Sequence, residues 1–367
     1  MTGATVPVAL RKDQPPANTC TLIDGVPSVL LLLPLPADRD DGLATLLWHE
    51  QWHCVQAALG LPAAEGDTAH LGSEAGRTAL RLEMRALAQA VAETDDRQAR
   101  QHAAAALGFR ALRSGSPPSS KRALGEEANV ERNEGLAEYT GRFVAAAASN
   151  ANAAPAVVEA LARADVSQSF VRSAAYATGP AYGILLDRWS PSWRSGLSAT
   201  SDLAGLLAGT LDVPLSATDL ARAGGTYGMN AVRAEERERA KAREQRSAEY
   251  RQRFLGRDAV RLSLGTPSVS FDPRALFPLD DAGTVYTPMT VRDEWGELTA
   301  ESGALLSKDW ALLSVSGDPV EDEASRWTGP GWMLELSEGW RLGRDAEGWR
   351  LTKALPSSVD RSGNDSE

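Results

Sequence analysis

The sequence predicts an α+β protein in which a mostly helical domain precedes a small β-rich one. Three observations carry that reading. Alanine, leucine and arginine recur at helical spacing through most of the first 225 residues. Glu and Arg then dominate from Arg233 to Arg253, with opposite charges three or four residues apart. After Gly256, short apolar runs alternate with turn residues, and six of the ten tryptophans fall there. The two halves differ in class and no internal repeat links them, which puts a boundary within residues 233–256.

The 367 residues are 43% hydrophobic and 24% charged, enough for two domains with a sizeable core. A net charge of −11 argues against a nucleic-acid binder, which needs a basic footprint, and against docking on anionic membranes. No stretch is long and apolar enough to span a membrane; Val29 to Leu35 is short and contains Pro34. The first twenty residues carry no apolar leader core, so the chain as written reads as cytoplasmic. A leader missing from this chain would make the protein exported. Two cysteines exclude a disulfide scaffold but allow one bridge, and Cys54 reads as a small buried hydrophobe.

In chain order, the first two dozen residues form an irregular arm rich in Pro, Thr and Asn. Val29–Leu33 is a continuous apolar run bounded by prolines and reads as one buried strand. Asp38–Asp41 supply helix-capping carboxylates, and a helix runs from about Gly42 to Leu59, stopped by Gly60 and Pro62. Residues 73–112 give two helices with a break near Thr94–Arg97, and Gly115–Ser120 a loop. Further helices cover Glu126–Ala148, Pro155–Ala164 and Ser167–Trp189. The charged run 233–256 reads as a solvated connecting helix, with a coiled-coil partner as the alternative. Strands are expected at Val260–Val269, Thr284–Val291, Trp332–Leu336 and Trp349–Thr352. Trp295, Trp310, Trp327, Trp332, Trp340 and Trp349 read as core rings of this β domain, with an aromatic ligand platform as the alternative. The tail from Ser357 is polar and reads as disordered. The expected domains are therefore 1–232, a linker helix 233–256, a β domain 257–355 and a tail 356–367.

The chemistry lies in His49-Glu50-Gln51-Trp52-His53, a match to H-E-x-x-H that uses two of only four histidines. On a helix, residues i and i+4 share one face, so both imidazoles can hold one Zn²⁺. Glu50 sits where a carboxylate can act as general base on an activated water. A catalytic zinc usually has a third protein ligand. His70 and His102 lack matching spacing and read as surface residues. Asn133-Glu134-Gly135-Leu136-Ala137-Glu138-Tyr139 is the better source: Glu134 and Glu138 lie four apart on one helical face. One carboxylate can bind the metal while the other orients a ligand histidine.

His49–His53 together with this Asn-Glu-x-x-Ala-Glu segment resembles the gluzincins, the thermolysin-like zinc metallopeptidases. The resemblance implies Glu134 as third ligand, Glu138 as the acid holding His49, and Glu50 as general base. The separation of about eighty residues between His53 and Glu134 is longer than in thermolysin, and implies a helical excursion that 73–112 supplies. Tyr176-Ala-Thr-Gly179 is similar to the Tyr-x-x-Gly helix of gluzincin aminopeptidases, which implies that the Tyr176 hydroxyl stabilises the oxyanion; a packing tyrosine is the other reading. These resemblances span roughly residues 25–210. The whole chain also resembles bacterial proteins that pair an Asn-Glu-Gly-Leu-Ala-Glu-Tyr helix with a tryptophan-rich β tail, which names no substrate. The expected function is zinc-dependent hydrolysis of a peptide or protein substrate. The alternative is a non-catalytic binding protein that keeps a relic or structural zinc site and recognises its partner through the β domain.

Overall fold

The computed structural model describes residues 17–35, 40–113, 120–211, 217–272, 275–323, 325–346 and 348–353. Helix accounts for about 49% and strand for about 21%, a helical region followed by a β-rich one, which is the α+β class. The chain divides into two compact units, Met1–Ala240 and Lys241–Glu367. The expected N-terminal arm, the capping carboxylates before Asp40, the 115–120 loop and the tail lie largely outside the described residues.

The first unit opens with a hairpin, β1 (Thr19–Ile23) and β2 (Val26–Leu30), paired antiparallel. Its turn is Asp24-Gly25, with φ of 51° and 80°, and this left-handed pair matches the twist of the strands. The expected buried strand at Val29–Leu33 is therefore shifted to Val26–Leu30 and is half exposed, with β1 its one sheet partner among the described residues. Cys20 on β1 is disulfide-bonded to Cys54, so Cys54 is a cross-link rather than a lone buried hydrophobe.

Ten helices follow among the described residues: α1 (Asp40–Val55), α2 (Glu74–Ala92), α3 (Asp96–Leu112), α4 (Ser120–Val130), α5 (Leu136–Ala148), α6 (Ala154–Asp165), α7 (Ala175–Trp189), α8 (Leu203–Ala208), α9 (Ala217–Ala223) and α10 (Met229–Leu255). The break between α2 and α3 falls where the capping chemistry predicts. Ser73 accepts from Gly76 N to start α2, and Asp95 accepts from Gln98 N to start α3. Residues 167–174 are not regular helix, so the segment expected from Ser167 starts only at Ala175.

The core of this unit is built from Leu80, Met84 and Leu87 of α2, Phe109 of α3, Leu136 and Tyr139 of α5, and Tyr182 and Leu185 of α7. Each large apolar side chain buried this way stabilises the fold by roughly 1.5–3 kcal/mol. Beside the core sits an ionic cluster. Arg110 grips Glu131 with two hydrogen bonds of 2.8 and 2.9 Å, Arg113 bonds both Glu83 and Glu127, and Tyr182 donates to Glu83. His70 belongs to it, with Nε2 2.6 Å from Glu127 Oε1, and His102 Nδ1 meets the Tyr227 hydroxyl at 2.7 Å. Neither is the surface histidine that spacing suggests; each has found a polar partner far away in sequence.

The charged helix α10 is exposed over most of 233–253, as the solvated reading expects, and Glu236 is the exception. Glu236 is 2% exposed because Arg77 bonds it at 2.6 Å and Arg81 at 3.0 Å. Within the second unit, the buried Phe254 near the end of α10 packs with Leu279, Val285 and Leu305.

Among the described residues the second unit holds thirteen strands: β3 (Val260–Ser263), β4 (Ser268–Phe271), β5 (Leu276–Pro278), β6 (Thr284–Tyr286), β7 (Met289–Asp293), β8 (Gly296–Ala300), β9 (Ala304–Leu306), β10 (Leu312–Val315), β11 (Val320–Glu323), β12 (Arg326–Gly329), β13 (Trp332–Leu336), β14 (Trp340–Asp345) and β15 (Gly348–Lys353). They form a seven-stranded sheet, β14-β15-β3-β10-β9-β6-β5, and a six-stranded sheet, β11-β12-β13-β8-β7-β4. One core takes side chains from both sheets. In β13, Trp332, Leu334 and Leu336 point in while Met333 and Glu335 do not, the period of two expected of a half-buried strand. The runs Val260–Val269 and Thr284–Val291 are each two strands that end in different sheets. Trp295 and Trp332 are buried, and Trp327, Trp340 and Trp349 are half-buried against the core. Trp310 departs from the core reading, being 46% exposed.

Candidate metal centre

Three helical segments of the first unit bring the predicted site residues together. α1 carries His49, Glu50 and His53, and the spacing of four between the histidines sets both imidazoles on one face. α5 packs along α1, and the approach is close: a Cβ on Gly141 would lie 2.4 Å from the Thr45 carbonyl oxygen. Only glycine fits there.

Between α4 and α5 the helix widens into one π turn, Glu131–Gly135. Such turns insert one extra residue into a helix and recur at functional sites. Glu134 lies within it and Glu138 one turn on. α7 crosses the same segment, where a Cβ on Gly179 would sit 2.3 Å from Gly135 Cα. This contact brings Tyr176 over the site.

The donor atoms form a nearly equilateral triangle. His49 Nε2 and His53 Nε2 are 3.2 Å apart, and Glu134 Oε2 is 3.4 Å from the first and 3.6 Å from the second. Donors about 2.0–2.1 Å from one tetrahedral ion lie about 3.3 Å from each other, so the residues fit a single metal ion. His49, His53 and Glu134 are thus a group that could hold a metal.

The neighbours of the triangle fix its orientation. Glu138 Oε2 is 3.1 Å from His49 Nδ1, and the other oxygen of Glu138 accepts from Arg142 Nη2 at 2.6 Å. A carboxylate can only accept, so His49 Nδ1 carries a proton and Nε2 is the nitrogen turned to the triangle, where a metal would displace any proton it holds. Glu134 Oε1 accepts from Asn133 Nδ2 at 3.0 Å, and Asn133 Oδ1 accepts from Gln56 Nε2 at 3.0 Å. The Tyr176 hydroxyl donates to Glu134 Oε2 at 2.6 Å, and its ring stacks on His49 with centroids 5.4 Å apart and planes 7° from parallel.

The electrostatics show a site short of positive charge. Burial opposes a charged His49 ring, but Glu134 and Glu138 outweigh it and lift its pKa to about 9. Burial acts against the Glu134 carboxylate, yet His49, His53 and Tyr176 hold it well below the usual range. Burial pushes the Glu50 carboxyl up, while His49 and His53 pull it down. Burial and then Glu134 push the Tyr176 hydroxyl well up, so it remains a donor. Three carboxylates around two imidazoles favour a bound cation, whether protons or a metal.

His49, Glu50, Glu138 and Tyr176 line one open cleft of about 1080 Å³, which Arg142 and alanines of α5, with Glu159 and Arg163 of α6, also line. Glu50 is 6% exposed, at the inner wall. Sequence reasoning passed over Arg142 and Gln56. Arg142 lies four residues after Glu138, a salt-bridge spacing. Gln56 lies in the turn just after α1, three residues beyond His53. No family model, no curated protein and no solved structure matches the chain.

Proposed function

We propose that this protein is a zinc-dependent hydrolase, and specifically a peptidase. The observation that carries the reading is the triangle of His49 Nε2, His53 Nε2 and Glu134 Oε2, with a fixed tautomer on His49 and a buried carboxylate, Glu50, in the adjoining cleft. Two imidazoles and one carboxylate suit zinc, and leave a position open for a reactant.

When bound, zinc supplies Lewis-acid activation of a water and of the scissile carbonyl. Glu50 takes the proton of the attacking water on its carboxylate and hands it to the leaving amine. Its elevated pKa, set by burial, favours that second transfer. Tyr176 turns its hydroxyl to the carbonyl oxygen as that atom gains charge. Glu138 and Arg142 keep His49 in the ligating tautomer. The gluzincin resemblance of the two motifs supports the same roles, and the Cys20–Cys54 disulfide supports an oxidising compartment and hence the exported alternative.

The test is zinc content measured together with cleavage of casein and of a mixed peptide library, with and without a chelator. About one zinc per chain and chelator-sensitive cleavage are expected. Glu50→Gln should keep the zinc and lose cleavage by about 10²–10⁴-fold. Metal without turnover on any peptide would instead favour a binding protein with recognition in the β domain.

A further inference from the structure

The Glu134 carboxylate has two oxygens, and only Oε2 faces the histidines. Its partner Oε1 is held from behind by a chain of two amides, Gln56 Nε2 to Asn133 Oδ1 and Asn133 Nδ2 to Glu134 Oε1, each 3.0 Å long. The direction of this chain is forced. A carboxylate accepts only, so Asn133 must present its NH₂ group to Glu134 and its carbonyl to Gln56. Gln56 must then present its own NH₂. Gln56 is itself anchored: it is 5% exposed, and its backbone carbonyl accepts from Leu59 N and Leu61 N. It stands 77 residues from Asn133, in the turn directly after α1, so it ties the two ligand-bearing segments together at the site.

We propose that Gln56 is a positioning residue which, through Asn133, restricts Glu134 to one ligating oxygen. This rests on the metal reading above. With Oε1 occupied, the carboxylate cannot rotate to offer both oxygens, so the fourth position of the ion stays free for a reactant. Carboxylates otherwise chelate readily with two oxygens. Removing the Gln56 donor leaves the half-buried Asn133 carbonyl without that partner and frees the amide to turn. Glu134 then keeps the Tyr176 hydroxyl on Oε2 but loses the tether on Oε1 that holds the second oxygen away from the ion.

The test uses the full chain with zinc and with cobalt as probes. Chelator competition reports affinity, and the visible bands of the cobalt form report coordination number, since they weaken as coordination rises above four. Gln56→Met keeps the volume and removes the donor, and should lower zinc affinity by about 10–100-fold with weakened cobalt bands. Asn133→Leu should do the same. The double variant should be no worse than Asn133→Leu alone, because Gln56 acts only through Asn133. Should Gln56→Met not fold, the isosteric Gln56→Glu carries the test: its carboxylate reverses the amide and should give the same loss. Wild-type affinity and wild-type cobalt bands in the variants overturn the proposal while leaving the metal reading intact. Additive losses in the double variant also overturn it. A wild-type protein that binds neither ion overturns the metal reading and this proposal together.

Discussion

Glu138 Oε2 lies 3.1 Å from His49 Nδ1, whereas Glu134 Oε2 lies 3.4 Å from His49 Nε2. One helical face thus addresses opposite nitrogens of a single ring. The two acids should differ in how much the metal notices their loss. Glu134→Ala leaves two donors and should abolish tight zinc binding. Glu138→Ala keeps all three donors and frees only the ring's orientation, a loss of about 10–100-fold. Competition against a chromogenic chelator ranks them. A metal-free Glu138→Ala beside a mildly weakened Glu134→Ala would reverse the assignment.

The contact of Gly179 with Gly135 sets a second expectation. A Cβ at Gly179 would fall 2.3 Å from Gly135 Cα, and backbone cannot swing aside as a flexible side-chain tip can. Gly179→Ala should push α7 from the π turn and destabilise the first unit by about 1–3 kcal/mol. The Tyr176 hydroxyl, 2.6 Å from Glu134, should be displaced with it. Thermal unfolding measures the first effect and zinc affinity the second. A variant as stable as wild type would mean that the helices are not in contact at this point.

The parts of the site that are legible in the sequence are the local ones. The spacing of His49 to His53 and of Glu134 to Glu138 follows from the 3.6-residue helical repeat, so both faces can be drawn from residue order alone. The break after α2 is legible from its polar capping residues, and the pattern of β13 from the strand period of two. Contacts across long sequence distance are not. Gln56 meets Asn133 from 77 residues away, and Glu236 is buried by Arg77 across 159 residues. The run 233–253 is solvated as its composition suggests, but the one acid in it that is buried cannot be told from its neighbours until its partners are known. The π turn at Glu131–Gly135 is also hidden, because one extra residue in a helix leaves composition and mean periodicity unchanged. The strand runs Val260–Val269 and Thr284–Val291 are too long as read from sequence, since strand-like residues lie on both sides of Gly265-Thr266-Pro267 and of Thr287-Pro288, where the chain changes sheet.

The disulfide gives a third expectation. Cys20 and Cys54 are separated by 34 residues, a loop whose closure in the unfolded chain costs about 3–4 kcal/mol in the chain-entropy account. Cys54 adjoins the ligand His53, so the bridge also ties β1 to the site helix. A dithiol reductant should lower the unfolding temperature of the first unit, and the oxidised protein should show no titratable thiol. Two reactive thiols in protein purified without reductant would count against the bridge.

Glu127 provides the pH expectation. Its side chain is 5% exposed, with Arg113 Nη2 2.6 Å from Oε2 and His70 Nε2 2.6 Å from Oε1. Burial alone would raise its pKa, but Arg113 first, then His70 and Arg110, overcome that and lower it from 4.5 to about 2. The sign follows from linkage. The folded state holds this carboxylate ionised more strongly than the unfolded state does, so the stabilisation is complete above the unfolded value of 4.5. It fades as pH falls from there towards 2. A shift of this size corresponds to a contribution on the order of 3 kcal/mol at neutral pH. Glu127→Gln should therefore be destabilised at pH 7, and the gap from wild type should close as acid is added. Denaturant unfolding at a series of pH values between about 7 and 3 measures that gap. A difference that stays constant over this range would show that the carboxylate's charge contributes nothing, and that the variant suffers only from altered packing beside Arg113.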